Sequence, residues 1–440
     1  MDEKEKTTDS GLTDEKEPEA VKEYADLSSA GAREPRKISI ALSVFLILLA
    51  ALIAFQSTFI VLKIREKKTI DDLMRAVYSC PSLLEMINTF DQNYIYDVDS
   101  DALSDAMLHT YAYYSGDKYS AYYNREEWAS FTSEMSGNMT GIGVYVVQDG
   151  DAILVTLVMN DSPAFSAGIQ DRDRILAVDG KTIPELGGYS AALDAVRGKV
   201  GTNVVLTVDR GGTTLTITVT RNYYSAQTVI AKMIEIDGKR IGYINITDFY
   251  SNTPAQFVGA MEALTEAGCA GIVFDVRDNP GGELSAICEV LDYLLPEGPI
   301  VNLFYRDGEE LALGQTYYSD ANEVNLPMAV LVNGNTASAA ELFTASLKDY
   351  GKATVVGTKT YGKGCGQSPY PLSTGGYVMV TSFLYTSAKS DNYDGIGIIP
   401  DIEIELSEVG ASKNYLIRTL EEDNQLQKAT DLLFYKIANQ

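Results

Sequence analysis

The sequence predicts a mixed α/β protein in which a small β-rich module precedes a mainly parallel sheet. Two patterns carry this reading. From residue 229 onward, short apolar strands alternate with helical stretches, the order that builds parallel sheets. Between Gly137 and Arg221, by contrast, short strands follow one another around glycine-containing turns. A third feature is the uncharged stretch from Ile38 to Leu62. At about 1.5 Å per residue it is long enough to cross a hydrocarbon core of about 30 Å, and it predicts one transmembrane helix.

The acidic tail 1–37, which contains proline and serine, predicts disorder. The apolar stretch 38–62 exceeds the roughly 7–15 residues of a signal-peptide core and lacks a small-x-small site after it, so it reads as an uncleaved anchor. Its flanking charges do not orient it: Arg33, Arg36 and Lys37 lie on one side, Lys63, Arg65, Lys67 and Lys68 on the other. Residues 69–136 carry helical periodicity at Ile70, Leu73, Met74 and Val77, at Leu83, Leu84 and Ile87, and at Leu103, Ala106 and Met107. Pro81 marks a break or a helix start, and Asp99, Ser100 or Asp101 is placed to cap the next helix.

The module 137–222 opens with strands at Gly141–Val147 and Ala152–Val158 around Asp149-Gly150. A short helix from Ser162 to Gly168, a strand at Asp173–Gly180, a helix at Tyr189–Val196 and paired strands at Asn203–Arg210 and Thr213–Arg221 complete it. In 223–406 the expected strands are Arg240–Asn245, Gly271–Val276 and Met328–Val332, with helices at Pro254–Ala267, Glu283–Leu294 and Ala337–Tyr350. Residues 407–440 end the chain in one or two amphipathic helices, which suggest dimer contacts.

Composition narrows the function. The net charge of −26 argues against nucleic-acid binding, which needs cationic patches against phosphate, and against docking of the soluble part on anionic lipid. The four cysteines, Cys80, Cys269, Cys288 and Cys365, have no metal-ligand spacing, and the chain holds one histidine, His109. Neither a metal nor an organic cofactor is expected. With His109 far from every candidate nucleophile, a serine hydrolase built on this chain needs another base.

Ser338 and Lys363 supply the candidates. Ser338 lies at a strand-to-helix turn in Asn333-Gly334-Asn335-Thr336-Ala337-Ser338-Ala339-Ala340-Glu341, where a helix N-terminus favours developing negative charge. Lys363, flanked by Gly362 and Gly364, can act as general base if burial brings its pKa down from about 10.4 toward neutrality. Gly281-Gly282 after a strand, with the N–H of Ala339, can face an oxyanion. Each piece has an ordinary reading too: an N-cap serine, a solvated loop lysine and an Asn-Pro-Gly-Gly turn. Taken singly, they leave the choice open.

In combination, Asp275-Val276-Arg277-Asp278-Asn279-Pro280-Gly281-Gly282, the Ser338 segment, Gly362-Lys363-Gly364-Cys365-Gly366-Gln367 and Gly395-Ile396-Gly397-Ile398-Ile399-Pro400-Asp401 resemble the carboxy-terminal processing proteases, tail-specific enzymes with a Ser-Lys dyad. Gly116-Asp117-Lys118-Tyr119-Ser120-Ala121-Tyr122 resembles the family's segment ahead of its inserted module, and 137–222 looks like a PDZ domain. The resemblance implies a crotonase-like protease core, with Ser338 as nucleophile, Lys363 as base, Gln367 orienting the lysine, and Gly282 and Ala339 as oxyanion donors. Glu341 is a second candidate partner for the lysine. Gly141, Ile142, Gly143 and Val144 match the loop that holds a peptide carboxylate on N–H groups. That loop has no cationic residue, so peptides or proteins with apolar C-termini are the expected substrates. The resemblance further implies that the catalytic part lies outside the cytoplasm, at the cell membrane. The departures are Asn333-Gly334-Asn335-Thr336 and Cys365, whose thiol reads as buried and inert. A catalytically silent PDZ scaffold and an acyl-CoA enzyme of crotonase type are the rival readings.

Overall fold

The computed structural model describes residues 54–58, 63, 80–236 and 238–439. The acidic tail and most of the expected transmembrane span lie outside these residues, as do the helical positions Ile70 to Val77. No described helix is long and apolar enough to cross a membrane. The chain divides into two compact units, Met1–Val98 and Asp99–Gln440. In the first, helix α1 (Pro81–Asn93) opens on Pro81, as the missing proline N–H allows.

The second unit starts with α2 (Ser100–Tyr113), where Asp99 accepts from the Ala102 N–H. His109 lies on this helix beside Glu127, 3.3 Å away, and takes no part in the site described below. A short strand β1 (Ala121–Tyr123) and helix α3 (Arg125–Met135), closed by an Asn124/Glu127 capping box, follow.

The inserted module is bounded by β2 (Asn138–Gly141) and β9 (Asn222–Ser225), which pair with each other and so bring its two ends together. Between them run β3 (Val144–Asp149), β4 (Ala152–Val158), α4 (Pro163–Ala167), β5 (Arg174–Val178), β6 (Lys181–Thr182), α5 (Tyr189–Val196), β7 (Asn203–Arg210) and β8 (Thr213–Thr220). The sheet order is β3-β4-β5-β7-β8, which leaves β3 at an edge. Ile142, Ile153, Ile175, Ala192 and Leu206 belong to a core of the module's own.

The larger part is a six-stranded sheet made from β10 (Val229–Ile236), β11 (Lys239–Ile246), β12 (Ile272–Asp275), β15 (Met328–Val332), β16 (Ala353–Gly357) and β19 (Ile402–Glu403), in that order. All neighbours are parallel except β10 with β11. Side-chain alternation explains the continuous apolar strands. Phe274 and Val330 pack under α6 (Thr253–Glu266), α7 (Leu284–Leu294) and α8 (Ala339–Asp349), whereas Val273 and Leu331 meet Leu426, Ala429 and Leu433 of α10 (Asn424–Ala438) on the other face. Each such side chain contributes about 1.5–3 kcal/mol on full burial. The short helix α9 (Glu408–Ala411) precedes α10.

A second, antiparallel sheet was not foreseen. It holds β13 (Gly298–Asp307), β14 (Glu310–Ser319), β17 (Cys365–Pro371) and β18 (Tyr377–Ser387), and β1 joins it by pairing with β18. This sheet carries Gln367 and brings the turn before β1 to the end of the parallel sheet where Ser338 lies.

Candidate active site

Ser338 ends the loop after β15 and sits just ahead of α8. Its backbone has φ 55° and ψ −120°, a region that costs a residue with a Cβ about 1–3 kcal/mol. Surrounding bonds hold it there. Thr336 Oγ1 donates to the Val276 carbonyl at 2.8 Å, and the Ala337 N–H donates to the Asn279 carbonyl at 2.9 Å. Asn279 is fully buried and ties its own loop down, donating to the Ile246 carbonyl and accepting from the Gly281 N–H.

Two glycines make the close approach possible. A Cβ on Gly281 would stand 2.6 Å from Ser338 Cβ, and one on Gly282 would stand 2.2 Å from the Phe249 carbonyl oxygen. The N–H groups of Gly282 and Ala339 have no acceptor among the described residues, and both residues line the same cleft as Ser338. Two unmatched donors beside a serine at a helix N-terminus can stabilise a negatively charged oxygen.

Lys363 is half-buried on that cleft. Burial pulls its amine below the ordinary 10.5, against the opposing pull of Cys365, Asp117, Tyr361 and Asp394. Its Nζ lies 4.6 Å from the centre of the Tyr119 ring. Ser338 Oγ and Lys363 Nζ are not hydrogen-bonded to each other in this conformation. Gln367 lines the cleft, where its Nε2 donates to Thr381 Oγ1 at 3.0 Å, and no hydrogen bond joins its side chain to that of Lys363.

Glu341 has a different place from the one expected. Its fully buried carboxylate does not meet the lysine side chain. Oε2 accepts from the N–H groups of Ser338 (3.0 Å) and Lys363 (2.8 Å), while Oε1 accepts from Thr360 Oγ1 (2.6 Å) and the Gly362 N–H (2.7 Å). The residue is a clasp between the serine and lysine backbones. Tyr385 adds a second tie: its hydroxyl donates to the Lys363 carbonyl at 2.7 Å and stands beside the Ser338 side chain. Cys365 is buried, and burial pushes its thiol up to about 11, which fits an inert sulfur.

The cleft has a volume of about 680 Å³. One wall is apolar, with Trp128, Phe131, Leu284, Ile287, Leu342 and Met379. Trp128 stacks on Tyr377 with ring centres 4.2 Å apart, which fixes α3 against the antiparallel sheet. Sequence reasoning missed Tyr385 and the aromatic wall, and it quoted Tyr119 only as part of a motif.

In the inserted module, Gly141, Ile142, Gly143 and Val144 line a separate cavity of about 240 Å³ with Leu193, Val196, Arg197 and Tyr224. Gly143 has φ 78°, and a Cβ there would stand 2.4 Å from Ser162 Cβ. The Ile142 and Gly143 N–H groups find no acceptor among the described residues. Arg197, at the end of α5, adds a cation to the cavity that the loop itself lacks.

Residues 240–404 match the model of peptidase family S41, and residues 140–220 match the PDZ domain. A Staphylococcus saprophyticus protein described as a CtpA-like serine protease is 31% identical over 363 residues, covering 81% of this chain and 73% of that one. The chain belongs to peptidase family S41. A carboxyl-terminal-processing protease of Picosynechococcus is 35% identical over 324 residues, covering 72% of this chain and 76% of that one. The fold is also that of a Bacteroides fragilis protein described as an S41 protease, with a TM-score of 0.51 at 19% identity, covering 78% of this chain and 92% of that one. This S41 member is thus a serine endopeptidase of the C-terminal processing kind that carries a PDZ domain, and its substrates are peptides or proteins.

Proposed function

We propose that this S41 peptidase is a membrane-anchored enzyme that holds apolar protein C-termini in its PDZ groove and cleaves peptide bonds with Ser338 and Lys363. The observation that carries the reading is the convergence, on one cleft, of a strained Ser338, a partly desolvated Lys363 and the unmatched N–H groups of Gly282 and Ala339. Neutral Lys363 takes the proton from Ser338 Oγ as that oxygen attacks the scissile carbonyl. The developing oxyanion accepts from the Gly282 and Ala339 N–H groups. Collapse expels the amine, protonated by Lys363, and leaves an ester on Ser338 that water hydrolyses by the reverse proton traffic. Gln367 orients the lysine once its side chain leaves Thr381.

Gating follows from the same reading: a peptide C-terminus bound in the PDZ groove favours the arrangement in which Ser338, Lys363 and Gln367 are hydrogen-bonded to one another. The edge strand β3 offers its free side to an extended peptide, the Ile142 and Gly143 N–H groups and Arg197 face the carboxylate, and Leu193 and Val196 take the apolar side chain. Residues 38–62 anchor the chain, with the catalytic part outside the cytoplasm.

The test is cleavage of an unfolded protein by the full chain, with an apolar free C-terminus and with the same terminus amidated. The expected result is efficient cleavage of the free form alone, abolished by Ser338→Ala. Equal cleavage of both forms would overturn C-terminal recognition. Peptide binding without turnover under every condition would favour a silent scaffold. Protease treatment of intact cells, expected to digest the catalytic part and spare the tail, tests the orientation.

A further inference from the structure

The residue that covers Lys363 comes from outside the parallel-sheet core. Tyr119 lies in the turn between α2 and β1, and this turn is tied at several points. Asp117 accepts from the Tyr119 N–H at 3.0 Å and from Ser120 Oγ at 2.5 Å, and Ser120 Oγ in turn accepts from the Thr381 N–H at 3.1 Å. Thr381 is also the residue that holds Gln367. Strand β1 continues from this turn along β18, with Ala121 opposite Met379. The Tyr119 ring is therefore held on the same strand that carries the contact of the expected third site residue.

We propose that Tyr119 is a positioning residue for Lys363: its ring gives the amine its resting place and closes it off from water, which keeps the lysine able to act as a base. The inference rests on the Ser-Lys reading above. A ring over an amine has two opposed effects. Its π face attracts the ammonium form, and its bulk excludes the water that the ammonium form needs. The charges around Lys363 decide which effect matters. Asp117 on the Tyr119 turn, Tyr361 and Cys365 on the lysine's own segment, and Asp394 after β18 all favour the protonated amine. Burial opposes them and prevails, and the Lys118 ammonium, 4.7 Å from the centre of the same Tyr119 ring, works in the same direction as burial. Take away the cover, and Asp117, Tyr361, Cys365 and Asp394 are opposed only by Lys118 and the remaining burial, which favours a charged lysine that cannot accept the serine proton.

The experiment is the pH profile of kcat/KM on a quenched-fluorescence peptide, measured on the full chain for wild type, Tyr119→Phe, Tyr119→Leu, Tyr119→Ala and Lys363→Ala. Tyr119→Phe keeps the ring and should reproduce the wild-type profile. Tyr119→Ala should move the acid limb up by about one pH unit, a roughly tenfold loss below the limb that is recovered at high pH. Tyr119→Leu keeps a cover without a π face and should leave the limb in place or lower it. A Tyr119→Ala profile that falls evenly at all pH values would overturn the proposal, as would an upward shift for Tyr119→Leu. If Tyr119→Ala does not fold, Tyr119→Ser removes the cover in its place and should show the same upward shift, an unshifted Tyr119→Ser profile overturning the proposal. Activity in Lys363→Ala would sink the underlying dyad reading, and inactivity there with an unshifted Tyr119→Ala profile would sink this inference alone.

Discussion

Replacing Glu341 by Gln tests the clasp that holds the serine and lysine segments together. The carboxylate is fully buried and accepts four hydrogen bonds, two on each oxygen. Gln keeps one acceptor oxygen and turns the other into an amide that faces two donors. Two bonds to a charged acceptor, at about 1.5–3 kcal/mol each, are then lost, and two donors are left without partners. Relief from burying a charge offsets part of this, so the net destabilisation should be about 2–4 kcal/mol. Whichever oxygen survives, one pair is released: Ser338 with Lys363, or Thr360 with Gly362. Turnover should therefore fall by more than tenfold. The assay is urea unfolding followed by tryptophan fluorescence. The chain has a single tryptophan, Trp128, which lies on the wall of the cleft and reports on that region. Stability within about 0.5 kcal/mol of wild type together with normal turnover would refute the reasoning, because surface substitutions of no structural consequence fall in that range.

Further outcomes follow from the same geometry. Gly282→Ala puts a Cβ 2.2 Å from the Phe249 carbonyl oxygen, so turnover should fall at least a hundredfold while peptide binding to the PDZ module, read by fluorescence anisotropy, is retained. Gly143→Ala, at φ 78° and against Ser162, should weaken binding of an apolar C-terminal peptide by roughly tenfold, given strain of about 1–3 kcal/mol. Arg277→Met leaves Asp275 and Asp423 buried without their shared guanidinium and should cost about 3–5 kcal/mol in urea unfolding. Burial raises the Asp423 carboxyl, but hydrogen bonds and charge from Arg277 outweigh it and hold it below the ordinary 3.8. The unfolded chain therefore binds more protons near that pH, stability falls as the pH drops below about 4, and Asp423→Asn should flatten that acid limb.

The parallel sheet was legible because its strands are apolar on both faces, as in Met328-Ala329-Val330-Leu331-Val332, and each is followed by a helical stretch or a loop. The antiparallel sheet was not. Strand β17 contains Gly366, Pro369 and Pro371, and β14 is mostly exposed, so their strand character comes from pairing with β18 and β13 rather than from composition. Ser338, Lys363 and the glycines stood out because glycine marks where backbone must come close. Tyr119 and Tyr385 reach the cleft only through tertiary pairing, and a tyrosine in a strand or turn carries no mark of that. Glu341 was misjudged for a local reason. Three residues after Ser338, it folds back to the Ser338 N–H as the third residue of a helix does in a capping box, which spends the carboxylate on backbone donors.

The most direct test of the central claim is to trap the acyl-enzyme. A peptide ester substrate is mixed with the full chain, quenched in acid within one turnover and digested for mass spectrometry. The account predicts an acyl adduct on Ser338 that forms faster as the pH rises and is absent in Lys363→Ala. An adduct on another residue, or unchanged acylation of Ser338 without the lysine, would contradict it.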